Sequence, residues 1–244
     1  MDENGTSEFL EAVIRGAAGR VSALLDARPE LVQAAGDHGK TGLHWAAEAD
    51  QIEVARVLAD AGADIEAKTS WGASPLDWAA TMGSARVAEF LLSRGASGFT
   101  LITAAALGKQ AEVEAIVESG TDLSPHRRRD APRTPNEDWP PDSVHILGDI
   151  LSDALYAAAR NGHTRVVEYL LARGANINAK GVFGATALHW AAINGHANTV
   201  ELLISRGANL TLKDTRFEAT AEGWAEEGGH SQIADILRRS RRTA

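Results

Sequence analysis

The sequence predicts an all-α repeat solenoid of about seven helix-turn-helix units, with short hairpin tips and one long insertion. Three observations predict it. A phrase recurs as Thr41-Gly42-Leu43-His44-Trp45-Ala46-Ala47, Ser74-Pro75-Leu76-Asp77-Trp78-Ala79-Ala80 and Thr186-Ala187-Leu188-His189-Trp190-Ala191-Ala192. It returns at a fixed period, since 33 residues separate Thr41 from Ser74, and Asp153 (heading a weaker copy) from Thr186. Glycines then punctuate each copy at two regular places.

Each part of the phrase has a physical task. Thr41 and Thr186 can cap a helix N-terminus through the hydroxyl, and Pro75 sits where a missing N–H costs nothing. The leucine and paired alanines let a second helix approach closely. Seven residues past the phrase leucine stands Gly83, Gly108, Gly162 or Gly195, suited to the left-handed residue that ends a first helix. Gly229 plays this part in the last unit. Asp50 holds the place in one unit, because Asp enters the left-handed region more readily than most residues. A second helix follows, with apolar positions such as Val54, Val57 and Leu58, or Val166, Tyr169 and Leu170. It stops at Gly62, Gly95, Gly120, Gly174 or Gly207. No unit can bury its apolar face alone, so neighbours must stack.

A 33-residue period with this phrase at the head of a helix resembles the ankyrin repeat, over nearly the whole chain. The resemblance implies a hairpin tip after 62–68, 174–180 and 207–213, before each next phrase. A degenerate first unit would run from Phe9-Leu10 to about Gln33, with Leu10 in the place of Leu43. Later units would begin near Asp37, Ser70, Phe99, Ile150, Gly181 and Asp214. The last carries one extra residue, because Trp190 maps onto Trp224. The expected layout is four units over 1–122, an insertion over 123–149 and three units over 150–244, in one continuous solenoid domain. Leu43, Leu76, Leu101, Leu155 and Leu188 should be equivalent buried sites. The resemblance also makes His44 and His189 structural, bonded to the preceding threonine, and makes His163, His196 and His230 turn residues.

Composition narrows the classes. The formal net charge of −9 argues against nonspecific nucleic-acid binding. The absence of cysteine excludes disulfides and thiolate metal sites. No zinc signature or phosphate-cradling loop occurs, so neither metal nor cofactor is expected. No apolar run near 18 residues and no leader pattern at Met1–Leu10 is found, and the chain reads as soluble and cytoplasmic. The terminal run of Arg238, Arg239, Arg241 and Arg242 reads as a last turn complementing its own helix dipole.

The period fails in the middle. Leu76 and Leu101 are 25 residues apart, so a hairpin is missing or reduced, whereas Leu101 and Leu155 are 54 apart. The insertion holds five of the seven prolines, with Arg127, Arg128, Arg129 and Trp139. Proline bars regular helix there. Trp139 is the residue expected to dock on the inner helices, because an indole gains much by burial. One reading makes the insertion a cover for exposed core; the other makes it a flap over a binding or catalytic site.

Candidate functional residues divide the same way. By the resemblance, partners are read by hairpin tips and inner-helix ends. The tips carry His38, Trp71, Phe183 and Phe217, and the helix ends carry Glu48, Thr81, Met82, Arg160, Asn161, Ile193 and Asn194. Trp45, Trp78, Trp190 and Trp224 share one repeat position, read as core packing with a ligand platform as the alternative. The favoured function is a non-enzymatic recognition scaffold for a protein partner, held in a concave groove and at the tips. The alternative is a small-molecule-binding protein or enzyme. Its site would lie under the insertion, with His126, Asp130, Glu137 and His145 as acid/base candidates.

Overall fold

Local signals become helices where the sequence places them. The computed structural model describes residues 3–70, 72–98, 100–119 and 150–243. Among these residues there are fourteen α-helices in seven pairs and no strand, only two isolated bridges, Ala35 to Thr41 and Lys213 to Thr220. They divide into two compact units, at 3–98 and 100–243. The division falls where the repeat spacing is short.

The N-terminal unit holds α1 (Glu3–Ile14), α2 (Ala18–Ala27), α3 (Gly42–Glu48), α4 (Ile52–Asp60), α5 (Pro75–Met82) and α6 (Ala85–Ser93). Inner helices pack in the order α1, α3, α5, and outer helices in the order α2, α4, α6. The C-terminal unit holds α7 (Leu101–Ala106), α8 (Gln110–Glu118), α9 (Ile150–Arg160), α10 (Thr164–Ala172), α11 (Ala187–Ile193), α12 (Ala197–Ser205), α13 (Ala221–Glu227) and α14 (Ser231–Thr243). There too, odd-numbered helices pack on odd and even on even. The fourth pair therefore stacks on the fifth although the insertion separates them in sequence.

The phrase leucines are the invariant of this packing. Leu43, Leu76, Leu101, Leu155 and Leu188 are each at most 1% exposed. In the first pair the buried site belongs to Phe9, at 0%, and not to Leu10, which is half-buried. The helix-ending residue sets this register. Gly16, with φ 73°, lies seven residues after Phe9, as Asp50, with φ 49°, lies after Leu43. In the fourth pair the cap slides by one residue: Thr100 Oγ1 accepts from the Thr103 N–H at 3.1 Å, and α7 is correspondingly short.

Caps and ends follow the same logic. Ser74 and Asp77 form a reciprocal box: the Asp77 N–H donates to Ser74 Oγ at 3.2 Å, and the Ser74 N–H to Asp77 Oδ2 at 3.0 Å. Asp50 does more than end α3. Its carboxylate accepts from the Val87 N–H at 3.1 Å and from Arg86 Nε at 2.7 Å, so it caps the outer helix of the next repeat. At the far end Glu222 stands in the phrase-leucine place. Arg238 and Arg241 fold back from α14 to pair with it at 2.8 and 3.1 Å. The terminal arginines thus neutralise an end unit besides complementing a dipole.

Candidate recognition surface

Several polar residues of the inner face are committed to holding repeats together. His44 Nδ1 accepts from the Thr41 N–H at 3.2 Å, and its Nε2 lies 3.0 Å from the Ala73 carbonyl. A carbonyl only accepts, so Nε2 carries the proton. His189 repeats the arrangement with Thr186 and, at 3.3 Å, Ala219. His163 and His196 donate instead to the preceding repeat, to the Ala106 and Arg160 carbonyls at 2.9 and 3.0 Å. Asn161 and Asn194 donate to the same two carbonyls at 3.0 Å each. The sequence offered these asparagines as partner contacts; their amides are occupied in the stack.

Burial holds the imidazoles of His44, His163, His189 and His196 below their ordinary value of 6.5, although a backbone hydrogen bond to each opposes it. A folded value below the unfolded one favours the neutral ring. The stability this contributes is present above the unfolded value and is lost as pH falls through it toward the folded value. The melting temperature should therefore drop between about pH 7 and about pH 5, ahead of carboxylate titration. Imidazole NMR titrations check the cause; midpoints at or above the unfolded value would refute it.

The hairpin tips are built by a left-handed residue. His38 (φ 58°) and Phe183 (φ 59°) occupy it, each followed by a glycine. The Gly36 N–H reaches the Lys40 carbonyl, Thr69 that of Ala73 and Gly181 that of Ala185, each spanning four residues; Asp214 reaches Ala219 across five. The extra residue of the last unit therefore lies within its tip. Neighbouring tips are tied by Ser70 N–H to His38 O at 2.8 Å and by Thr215 N–H to Phe183 O at 2.7 Å.

Asp214 organises that last tip. The residue as a whole is 3% exposed. It accepts from the N–H groups of Arg216, Phe217 and Ala219 at 2.8, 2.6 and 2.9 Å, and from the Trp224 indole at 3.0 Å. Burial pushes this carboxyl upward, but the four donors outweigh it and hold it below the usual range. Phe217 is presented at 63% exposure.

Behind the tips lies an aromatic wall. Trp190 and Trp224 meet edge to face at 5.1 Å between centroids, Tyr156 reaches Trp190 at 6.1 Å, and Phe217 reaches Trp224 at 6.3 Å. Phe183 and Ile193 pack against the same cluster. Arg160 stacks on Trp190 at 3.9 Å. The tryptophans are thus core at their base, with aromatic and arginine groups at the rim. The N-terminal unit carries its own version. Lys40 Nζ lies 4.1 and 4.5 Å from the Trp45 and Trp78 rings and 2.9 Å from Glu48 Oε2, which also accepts from the Trp78 indole at 3.2 Å. His38 is exposed at its tip and Met82 half-buried at the end of α5.

The remaining sequence candidates are Trp71, His126, Arg127, Arg128, Arg129, Asp130, Glu137, Trp139 and His145, and they lie outside the described residues. Among those described, no group of His, Asp and Glu side chains could hold a metal ion. A groove of about 560 Å³ runs along the outer helices α4 and α6, where Arg56 and Arg94 flank Phe90. Sequence reasoning missed Lys40, Tyr156, Asp214 and Arg216. The run Arg216-Phe217 was the available signal for the last of these.

Comparison with known proteins accounts for this geometry. The family profile described as ankyrin repeats (3 copies) matches residues 9–100 and 143–214. The chain belongs to the ankyrin-repeat family. Among its relatives is the transient receptor potential cation channel subfamily A member 1 homolog of Caenorhabditis elegans, 30% identical over 137 residues. That match covers 53% of this chain and 11% of the channel. Another is the ankyrin repeat and KH domain-containing protein mask-1 of the same organism, 30% identical over 169 residues, covering 67% of this chain and 6% of that protein. The chain spans only a small fraction of either relative. Ankyrin repeats generally mediate protein–protein interaction, and no helix among the described residues is long and apolar enough to cross a membrane.

Proposed function

We propose that this chain is a non-enzymatic recognition scaffold that binds a protein partner through the inner face and hairpin tips of its ankyrin repeats. The observation that carries the reading is Phe217, a large apolar ring left 63% exposed on a tip whose backbone is pinned by the buried Asp214 carboxylate. Presenting a phenyl ring rigidly to water has no folding benefit, whereas a preorganised aromatic anchor reduces the ordering cost of association. Phe183 and Arg160 lie against the same aromatic wall, Phe183 on the tryptophan cluster and Arg160 on Trp190. Cytoplasmic residence is part of the proposal, in keeping with a chain free of cysteine.

The test is capture from native lysate on the immobilised full chain, set beside Phe217→Ser. Substitution of an exposed side chain should leave the helical circular dichroism unchanged. It should cost a bound partner about 1–2 kcal/mol, the range of an interface anchor. Proteins retained by the wild type and equally by the variant would remove Phe217 from the interface. A retained metabolite without any protein would overturn the scaffold reading in favour of a small-molecule site.

A further inference from the structure

The last tip pairs its exposed ring with an arginine whose charge is unanswered. Arg86, Arg94, Arg173, Arg206, Arg238 and Arg241 each carry a carboxylate partner. Arg216 does not: among the described residues its guanidinium has neither an ion pair nor a side-chain hydrogen bond. Instead it lies over two rings, 4.7 Å from the Phe183 centroid and 5.3 Å from that of Phe217. Both rings are fixed from behind. Phe183 is packed on the tryptophan cluster, and its carbonyl receives the Thr215 N–H at 2.7 Å. The backbone of Arg216 and Phe217 hangs on Asp214. An arginine stacked on aromatic faces loses little further freedom when its planar fork meets a carboxylate.

We infer that Arg216, clamped by Phe183 and Phe217, is the docking point for a single Asp or Glu carboxylate on an extended segment of the partner protein. An apolar side chain next to that acid seats on Phe217. Charge selects this occupant. A basic segment would meet the uncompensated Arg216, with Lys213 exposed nearby. A strongly acidic or phosphorylated one would meet the repulsion of a chain at net −9 and of exposed Glu218 beside the site. One carboxylate gains the bidentate contact at the least long-range cost. The inference rests on the recognition reading above and names its partner chemistry.

Selection of a random-sequence peptide phage library on the full chain supplies the probe, followed by polarisation titration of the enriched peptide carrying a fluorophore. The expected consensus is one Asp or Glu beside an aliphatic or aromatic residue. Arg216→Gln should weaken that peptide on the order of tenfold or more. Arg216→Lys should restore only part of the loss, because a point charge lacks the fork. Phe217→Ala should weaken it as well, and Asp or Glu replaced by Asn or Gln in the peptide should match Arg216→Gln. Peptides indifferent to Arg216 but lost on His38→Ala would overturn this site while leaving the scaffold reading intact. A basic consensus, or a phosphoserine variant that binds more tightly than the Glu peptide, would overturn the carboxylate assignment. Enrichment of nothing, together with no protein retained from lysate, would remove both.

Discussion

Gly162→Ala is expected to destabilise the C-terminal unit by about 3 kcal/mol, in two separable parts. Gly162 has φ +74°, so any Cβ incurs the left-handed penalty of about 1–2 kcal/mol. A Cβ built there would also lie 2.6 Å from Nδ1 of His196. That ring cannot simply turn aside, because its Nε2 donates to the Arg160 carbonyl at 3.0 Å. Overpacking of this kind costs about 1–3 kcal/mol. Gly174→Ala is the control, since its φ is +93° but nothing lies within 4 Å of the added carbon. Guanidinium unfolding midpoints should fall clearly further for Gly162→Ala than for Gly174→Ala. Adding His196→Ala to Gly162→Ala should recover the steric part. Equal losses at the two glycines would show that the ring gives way freely.

Asp214→Ala should cost about 3 kcal/mol and loosen the last repeat first. The substitution leaves three backbone N–H groups and the Trp224 indole without their acceptor. The backbone donors are at the tip and can partly rehydrate, but Trp224 is 4% exposed and its indole cannot. Asp214→Asn keeps one acceptor oxygen and should fall between. Amide exchange is the measurement: α13 and α14 should lose protection while α9 to α11 largely keep theirs. Because the native carboxyl sits below its ordinary value, this stabilisation is present above the unfolded carboxyl range and lost as pH falls through the folded value. The wild-type contribution is therefore constant near neutrality, in a window separate from that of the histidines. Uniform loss of protection across the unit would mean that Asp214 serves the whole stack.

What was legible in the sequence is what backbone geometry demands locally. A cap needs a hydroxyl or carboxylate, a left-handed helix end needs Gly or an Asp such as Asp50, and a shared buried site needs Leu at the same step. Leu101 and Leu155 could be placed by these rules despite the missing hairpin and the insertion. The first pair was misread by one residue because Phe9 and Leu10 are both apolar, and only Gly16 breaks the tie. The candidate surface was less legible because its side chains answer to residues a repeat or more away. Asn161 looks like an exposed polar reader until the Ala106 carbonyl, 55 positions back, is seen to claim its amide. Lys40 belongs to Trp78 as much as to its own turn. Asp214 reads as an ordinary loop acid, because nothing in its neighbourhood announces that four donors converge on it.

The Asn-Gly-His turn makes two successive junctions in the C-terminal unit alike. His163 covers Gly108 and takes the Ala106 carbonyl, and His196 covers Gly162 and takes that of Arg160. These two joints have the same plug and the same socket, so one more module of this kind would fit behind its predecessor without any new complementarity being invented. Number of modules is in that sense a free variable, open to duplication or loss by recombination at the joints. The five-residue tip of the final module stands outside this interchangeability. Copying an interior module lengthens the array but leaves Arg216 and Phe217 single, so growth of the stack and choice of partner can vary independently.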